Sequence, residues 1–535
     1  MENNRTILAI ALIILVWSGY NMLFPPPQTE VAPQATVEKS ESEAVAQPVV
    51  VAAKEEEPAE ASQPLPVPLA DKRIQVESDL CLFELTTNGA RLRQAFLKNY
   101  KVENLPDAEN VAIINVDTAR LAMFKTSGKE GLFLPEDLSY ALKDNRTEYR
   151  LSGNQSQDIV FVAKTPAGLE VHKTYTFYPD SYRVDLKIKL INRAEQQARG
   201  VLDLSLMTPW DESMAGDMRE FVGPTTLSGE EVVEDDPEDL QTSAKVYGKG
   251  LVWSGFTTKY FVSLVSPQGG AASKVYVEAG EGYVENRFSS AGMTLEPNES
   301  AGFEYVAYLG PKDYDILQVI GFGFDQAIDL GFFSIIGQPL MIVLKFFHGY
   351  LGNWGFAIIL LTVCIKALFW PLTQKSYTSM QSMQKLQPQM TKLREKYSSD
   401  KQRLNQEMMA LYKENRVNPF GGCLPILIQI PVFFALYQVL LGSIELRHAP
   451  FMLWITDLSA KDPYYITPLI MGGTMFLQQK MTPTNMDPTQ ARIMLMMPVV
   501  FTFLFLNFPS GLVIYWLINN VLTIAQQYLI KRKAS

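Results

Sequence analysis

Metal and disulfide chemistry has little to work with in this sequence: three cysteines (Cys81, Cys364, Cys423) and three histidines (His172, His348, His448) lie in separate segments of 535 residues. No disulfide framework, zinc spacing or histidine-based metal site emerges from them. The chain also lacks the phosphate-cradling Gly-x-x-x-x-Gly-Lys-Ser/Thr loop, the His-Glu-x-x-His helix and the Gly-x-Ser-x-Gly elbow, so an energy-coupled pump or a membrane protease has no visible equipment. A serine–lysine pair needs no long signature, and Lys366 is a conceivable base for Ser443 or Ser510. Both serines fall at the outer ends of apolar stretches and Lys366 toward the inner end of its own, so depth separates them. No catalysis, cofactor, metal or direct nucleic-acid motif is expected.

Charge is scarce too: 19% of residues are charged against 47% hydrophobic, and the net charge is -10. The mean hydropathy of +0.01 hides a split. Before about Tyr308 the chain reads as soluble or disordered, apart from one N-terminal apolar stretch, and this part carries most of the negative charge. After Asp325 it is a succession of apolar runs. Residues 1–24 read as an uncleaved signal-anchor span with the N-terminus in the cytoplasm, since no Ala-x-Ala-like site or lipobox cysteine follows. Residues 25–70, rich in Pro and Glu, cannot bury enough apolar surface to offset their ordering entropy and form a disordered linker.

Residues 71–320 show β patterning. Asn88-Gly89 separates two apolar runs as a hairpin turn would, and Tyr182 to Leu190 alternates apolar and polar residues without a break. Several such strands imply a large all-β sandwich outside the membrane. The acidic stretch from Gly229 to Asp239 reads as a solvated loop. Residues 325–349 read as an amphipathic helix lying in the membrane plane. Five apolar stretches follow, read as spans at 353–372, 422–442, 464–480, 493–508 and 511–530, with a short basic tail at 531–535. Several are near the lower length limit for a span, which thins the local bilayer.

Between Lys375 and Arg416 nine basic residues face four acidic ones, which places the 373–418 segment in the cytoplasm. Alternation from there gives six spans with both termini inside. The same segment reads as a helical hairpin. Met380, Met383, Leu386, Met390, Leu393 and Tyr397 recur at three- and four-residue spacing, and Leu404, Met408 and Leu411 answer them. A methionine face that includes Met380, Met383, Met408 and Met409 suits varied apolar partners, although such a seam also simply holds two helices together.

One basic side chain, Lys366, falls inside the apolar run from Asn353 to Pro371. A lysine near the centre of a span costs roughly 2.5–3.5 kcal/mol, so it persists where a polar cavity receives it. The alternative is that Lys366 snorkels, since Pro371 ends the run about five residues later. Thr362 lies one helical turn away on the same face. Gln429, Gln438, Thr502, Asn507, Asn519 and Gln526 add uncharged polarity to the spans. Each alone is satisfied by an interhelical hydrogen bond, whereas with Lys366 they suggest a groove wetted from the cytoplasm.

The chain resembles the YidC-type membrane protein insertases of Gram-negative bacteria. The resemblance rests on Asn353-Trp354-Gly355-Phe356, Pro371-Leu372-Thr373 with Tyr377 to Met380, Gln406 to Lys413, Asn418 to Pro425, Asp462-Pro463-Tyr464-Tyr465-Ile466 and Phe508-Pro509-Ser510-Gly511-Leu512. It implies a cofactor-free insertase and chaperone of the inner membrane. Such a protein receives nascent membrane proteins, alone or with the general secretion translocon, and releases their helices sideways into the lipid bilayer. It also implies that the β domain is periplasmic and sugar-enzyme-like in fold, that Lys366 stands where the family usually has Arg, and that the face around Thr362 with Tyr515 and Trp516 forms the apolar exit of a groove to which Gln429 and Asn519 are assigned by their polarity. Trp516 stands where the family often has Tyr. The 373–418 hairpin is then the cytoplasmic receiving platform. Ribosome and signal-recognition contacts stay open because the Lys531-Arg532-Lys533 tail is short.

Two other classes compete. A buried lysine also suits a small-solute transporter, although no inverted repeat is visible in the five C-terminal spans. A structural chaperone holding the β domain against an envelope partner would lose its role with that domain, whereas an insertase would keep much of its activity in the C-terminal portion.

Overall fold

The computed structural model describes residues 71–534 apart from 117–120, 215–220, 330, 398–399, 416–423 and 483–487. The expected signal anchor (1–24) and linker (25–70) lie outside the described residues, as does the Asn418 to Cys423 motif.

Residues 73 to 311 build three sheets around a large apolar core, with a small separate cluster at Trp210, Phe256 and Val284. The largest has nine strands, in the order Glu231–Glu234, Gly223–Ser228, Leu251–Thr257, Phe261–Gln268, Ser300–Pro311, Arg183–Asn192, Leu169–Phe177, Gln157–Lys164 and Ala141–Leu142. A second runs Asn110–Asn115, Arg91–Lys101, Cys81–Thr86, Arg73–Glu77 and Glu148–Arg150, and its last pair is the one parallel pairing among the described residues. The third is organised on Ala198–Pro209, paired with Tyr283–Ser289 and Lys125–Lys129. In Arg183–Asn192 the alternation reads directly as burial: Val184, Leu186, Ile188 and Leu190 are inside, and Lys187 and Lys189 are outside. Antiparallel strands with one solvated face produce this pattern.

The Asn88-Gly89 hairpin forms between Cys81–Thr86 and Arg91–Lys101. Gly89 adopts φ 71°, and a Cβ there would lie 2.9 Å from the Glu136 carbonyl oxygen, so glycine is required. The acidic 229–239 stretch differs from the solvated loop expected. It holds the edge strand Glu231–Glu234 and a short helix α1 (Pro237–Thr242) capped by the Asp236 side chain. Asp235 is buried and accepts from Tyr247 Oη at 2.8 Å, so part of the charge is a structural acceptor.

A short helix α2 (Tyr314–Ile320) leads out of the sheets, followed by α3 (Ser334–Leu351), α4 (Trp354–Lys385), α5 (Gln387–Lys396), α6 (Lys401–Glu414), α7 (Leu424–Gly442), α8 (Ile466–Met481), α9 (Pro488–Phe505) and α10 (Ser510–Ala534). Among the described residues α4 is long and apolar enough to cross a membrane, while Ile428–Gly442 and Met494–Phe505 are shorter apolar stretches. Helix α10 packs on α4 and α8, α9 on α8, and α3 on α4 and α7, around a second apolar core that includes Leu361, Leu440, Met471 and Tyr515.

The motif residues are structural fasteners. Asn353 caps α4 by accepting from the Phe356 amide at 3.1 Å, and its Nδ2 donates to the Phe451 carbonyl at 3.0 Å. Gly355 lets the 443–465 loop close on α4, because a Cβ there would lie 2.0 Å from Phe451 Cδ2. Asp462 accepts from the Tyr464 and Thr467 amides at 2.9 and 2.7 Å, opening α8. Ser510 and Gly511 start α10 by donating their amides to the Ala460 and Leu458 carbonyls at 2.7 and 2.9 Å.

The β domain is tied to the helices by polar contacts. Lys345 of α3 lies 2.6 Å from Asp315, 2.8 Å from Glu445 and 3.8 Å from Asp313. Arg447 donates to the Lys101 and Val102 carbonyls, and Asn104 to the Thr456 carbonyl at 2.8 Å.

Candidate functional site

Apolar helices packed in lipid leave side-chain polarity with few partners, so the polar contacts between them mark where the bundle differs from a plain core. Lys366, half-buried on α4, does not run its stem to the helix end. Its Nζ turns into α10 and donates to Thr523 Oγ1 at 2.9 Å. Thr523 in turn donates to the Asn519 carbonyl at 2.7 Å, one turn back. Asn519 Oδ1 accepts from Gln429 Nε2 of α7 at 3.0 Å. A polar seam thus joins α4, α10 and α7 through Lys366, Thr523, Asn519 and Gln429.

An ammonium has three donors and no acceptor. Thr523 is the one hydrogen-bond partner of Lys366 among the described residues, and no carboxylate pairs with it there. The charge therefore retains donor capacity for water or for another molecule. Further along α10, Gln526 Nε2 donates to the Trp370 carbonyl at 3.3 Å, and Gln527 Nε2 to Thr482 Oγ1 at 3.0 Å, so the polar residues continue toward the Lys531 end.

The other expected groove residues take different places. Thr362 is buried, and its hydroxyl donates to the Ile358 carbonyl of its own helix at 2.7 Å, which removes it from the seam. Tyr515 is buried in the helical core, two turns or about 12 Å along the axis from Thr523. Trp516 is half-buried in an aromatic cluster, with ring centroids 4.8 Å from Phe433 and 5.3 Å from Phe505, and its Nε1 has no hydrogen-bond partner among the described residues. Of the methionines, Met380, Met383 and Met408 are half-buried and Met409 is 57% exposed. Met390 is the buried one, and its sulfur accepts from Tyr412 Oη at 3.8 Å, so α5 packs on α6.

Thr523 is the partner that sequence reasoning missed. Its signal was the Asn519/Thr523 pair at i, i+4, which puts two polar groups on one face of a greasy helix.

The family model described as the YidC periplasmic domain matches residues 73–343, and that described as the 60Kd inner membrane protein matches 346–535. A protein of Geotalea daltonii named membrane protein insertase YidC is 41% identical over 534 residues, covering 99% of both chains. A Geobacter sulfurreducens protein of the same name is 43% identical over 533 residues, covering 99% of this chain and 98% of the relative. A solved structure titled an active YidC insertase with its first transmembrane domain resolved aligns with 86% of this chain and 93% of its own at 18% identity, with a TM-score of 0.37, a likeness too loose to carry structural detail. With both family models matched in tandem and relatives aligned along nearly its whole length, the chain belongs to the YidC family.

Proposed function

We propose that the protein is a membrane protein insertase and chaperone that receives nascent inner-membrane proteins, alone or beside the general secretion translocon, and releases their helices into lipid. The observation that carries this reading is the half-buried Lys366, held by one hydroxyl and by no carboxylate among the described residues. A lysine ammonium held at that depth attracts an acidic polar segment, and a point charge serves this purpose without the planar fork of an arginine. Gln429, Thr523 and Asn519 would hold polar parts of the passenger or their water, and Trp516 with its aromatic neighbours would offer the apolar way out.

The topology we assign is six spans, with the first at 1–24, the helix α3 in the plane of the outer surface, the β domain periplasmic and both termini cytoplasmic. It is supported by the nine basic residues against four acidic ones between Lys375 and Arg416. Helices α5 and α6 then form a cytoplasmic hairpin, on which the exposed Met409 offers an adaptable apolar contact to an incoming segment. No energy source enters the proposal. Short spans thin the membrane, and a polar seam open to the cytoplasm lowers the barrier to moving a short polar segment across.

The test is insertion of a single-span passenger with an acidic outer segment into liposomes containing only this protein. Wild type and Lys366→Arg insert it, and Lys366→Ala does not. Solute flux without insertion by any form would replace the insertase reading with a transporter.

A further inference from the structure

The β domain carries an exposed apolar tip beside the start of a span. Strand Arg91–Lys101 turns back into Asn110–Asn115 through a loop whose Val102 and Leu105 are 56% and 58% exposed. The loop is closed on itself: the Val102 amide donates to the Glu109 carbonyl at 2.9 Å and the Ala108 amide to the Leu105 carbonyl at 3.2 Å, so the tip is a fixed protrusion. Two contacts hold it against the 443–465 loop. Arg447 donates to the Val102 carbonyl at 3.1 Å, and Asn104 to the Thr456 carbonyl at 2.8 Å.

The 443–465 loop fixes the level at which the tip stands. The Phe451 amide donates to the Ile455 carbonyl at 3.0 Å, so one tight turn brings Thr456 back beside Phe451, and Phe451 packs on Gly355 and Phe356 in the first turn of α4. The tip therefore stands at the end of the helix that is long and apolar enough to cross a membrane. In the intervening turn Met452 is 46% and Leu453 77% exposed, and Leu453 adopts φ 55°. A bulky residue seldom accepts that left-handed region, and here it leaves an apolar side chain outside the packed core. Phe356 of α4, 44% exposed, continues the apolar surface along the span. This continuity says what covers the rim: the lipid that surrounds α4 begins at the same level.

We propose that the 102–108 tip is seated in the interfacial layer of the bilayer, with Val102 and Leu105 against lipid, so that the β domain is docked on the membrane surface as well as on the helices. Glu103, Asp107 and Glu109 are exposed on the same loop, and residues 102–109 hold no basic side chain. The tip thus fits a lipid surface without net charge, and an anionic surface repels it at low salt. The seat requires only that α4 cross the membrane, and it stands in either orientation of the chain.

The test places the fluorescent residue dansylalanine at position 105 of the full chain, reconstituted in vesicles of phosphatidylcholine with or without bromine near the top of the acyl chains. Quenching by the brominated lipid is about threefold stronger than for the same probe at Lys189, on the solvated face of the largest sheet, as an apolar group seated about 5–10 Å into the headgroup boundary requires. The probe at Leu453 is quenched as strongly as at 105. Val102→Asp, at an exposed position that contributes its carbonyl to Arg447, lowers quenching at 105 toward the Lys189 level with melting unchanged. Replacing part of the phosphatidylcholine by phosphatidylglycerol lowers quenching at 105, and added salt restores it. Equal quenching at 105 and 189, quenching unmoved by Val102→Asp, or quenching that rises with phosphatidylglycerol overturns the proposal. Emission at 105 that shifts with the protein-to-lipid ratio and ignores bromine would assign the tip to a contact between copies and also overturn it. Because the probe reports depth without any passenger, failure here leaves the insertase reading standing, and failure of insertion leaves this one standing.

Discussion

Lys366 and Thr523, 157 residues apart in the chain, are joined by one hydrogen bond of 2.9 Å between α4 and α10. An interhelical hydrogen bond inside a membrane averages about 0.6 kcal/mol, roughly a threefold effect on an equilibrium. Thr523→Val, which keeps the volume and removes the hydroxyl, therefore leaves the bundle folded while freeing the ammonium from α10. The expected result is unchanged melting with insertion of acidic passengers altered about threefold, and with neutral passengers unaffected. Thr523→Ser restores the wild-type rate. Equal effects on acidic and neutral passengers would make the contact merely structural.

Gln429 and Asn519 form the second link of the seam, at 3.0 Å between α7 and α10. Removing either partner leaves the other unsatisfied at a cost of about 1–3 kcal/mol, and removing both costs less than the sum. Gln429→Leu and Asn519→Leu should each lower the melting temperature, with the double variant recovering part of the loss. Strict additivity in this cycle would mean that the two amides do not interact in the membrane.

The parts of the fold governed by nearest neighbours were legible in the sequence. Alternation in Arg183–Asn192 and the turn at Gly89 depend on residues within a few positions, and both formed where the pattern put them. Lys366 stood out because a charge in an apolar run is conspicuous whatever surrounds it. What it touches was not legible, because helix rotation and packing choose between Thr362 on its own helix and Thr523 on another. Thr362 spent its hydroxyl on the Ile358 carbonyl, a local bond that competes with any longer one. Asp235 shows the same limit in the β domain: its neighbours in sequence are acidic and solvated, but the Tyr247 hydroxyl draws it inward. Composition reports the average fate of a charge, and tertiary contacts decide the individual one.

Gly355 gives a packing prediction. The ring of Phe451 leaves no room for a methyl group 2.0 Å from its Cδ2, and the ring is also held edge-on to Phe356 with centroids 5.2 Å apart. Gly355→Ala should destabilise the closure of the 443–465 loop on α4 by about 1–3 kcal/mol, the usual cost of overpacking. Trimming the obstacle in the double variant Gly355→Ala, Phe451→Leu should restore part of the melting temperature lost in the single one. A neutral Gly355→Ala would show that the loop moves aside freely.

Lys345 sets how firmly the β domain is held on the helices, and its titration gives that hold a direction. Burial works against its charge, but Glu445 and Asp315 outweigh burial and raise its pKa above the ordinary 10.5. A base whose folded pKa is raised contributes stability that is whole below its unfolded value and is lost as pH rises through the folded one. The contact should accordingly hold at neutral pH, begin to weaken above the unfolded lysine value of about 10.4, and open as pH rises through the higher folded value. Lys345→Met leaves the Glu445 carboxyl buried without its partner, at a cost of about 1–3 kcal/mol, so hydrogen exchange of α2 should quicken at every pH. Adding Glu445→Gln to that variant removes the stranded charge and should return much of the protection. If Lys345→Met left α2 exchange unchanged at neutral pH, the carbonyl contacts of Arg447 and Asn104 would be sufficient to hold the two parts together.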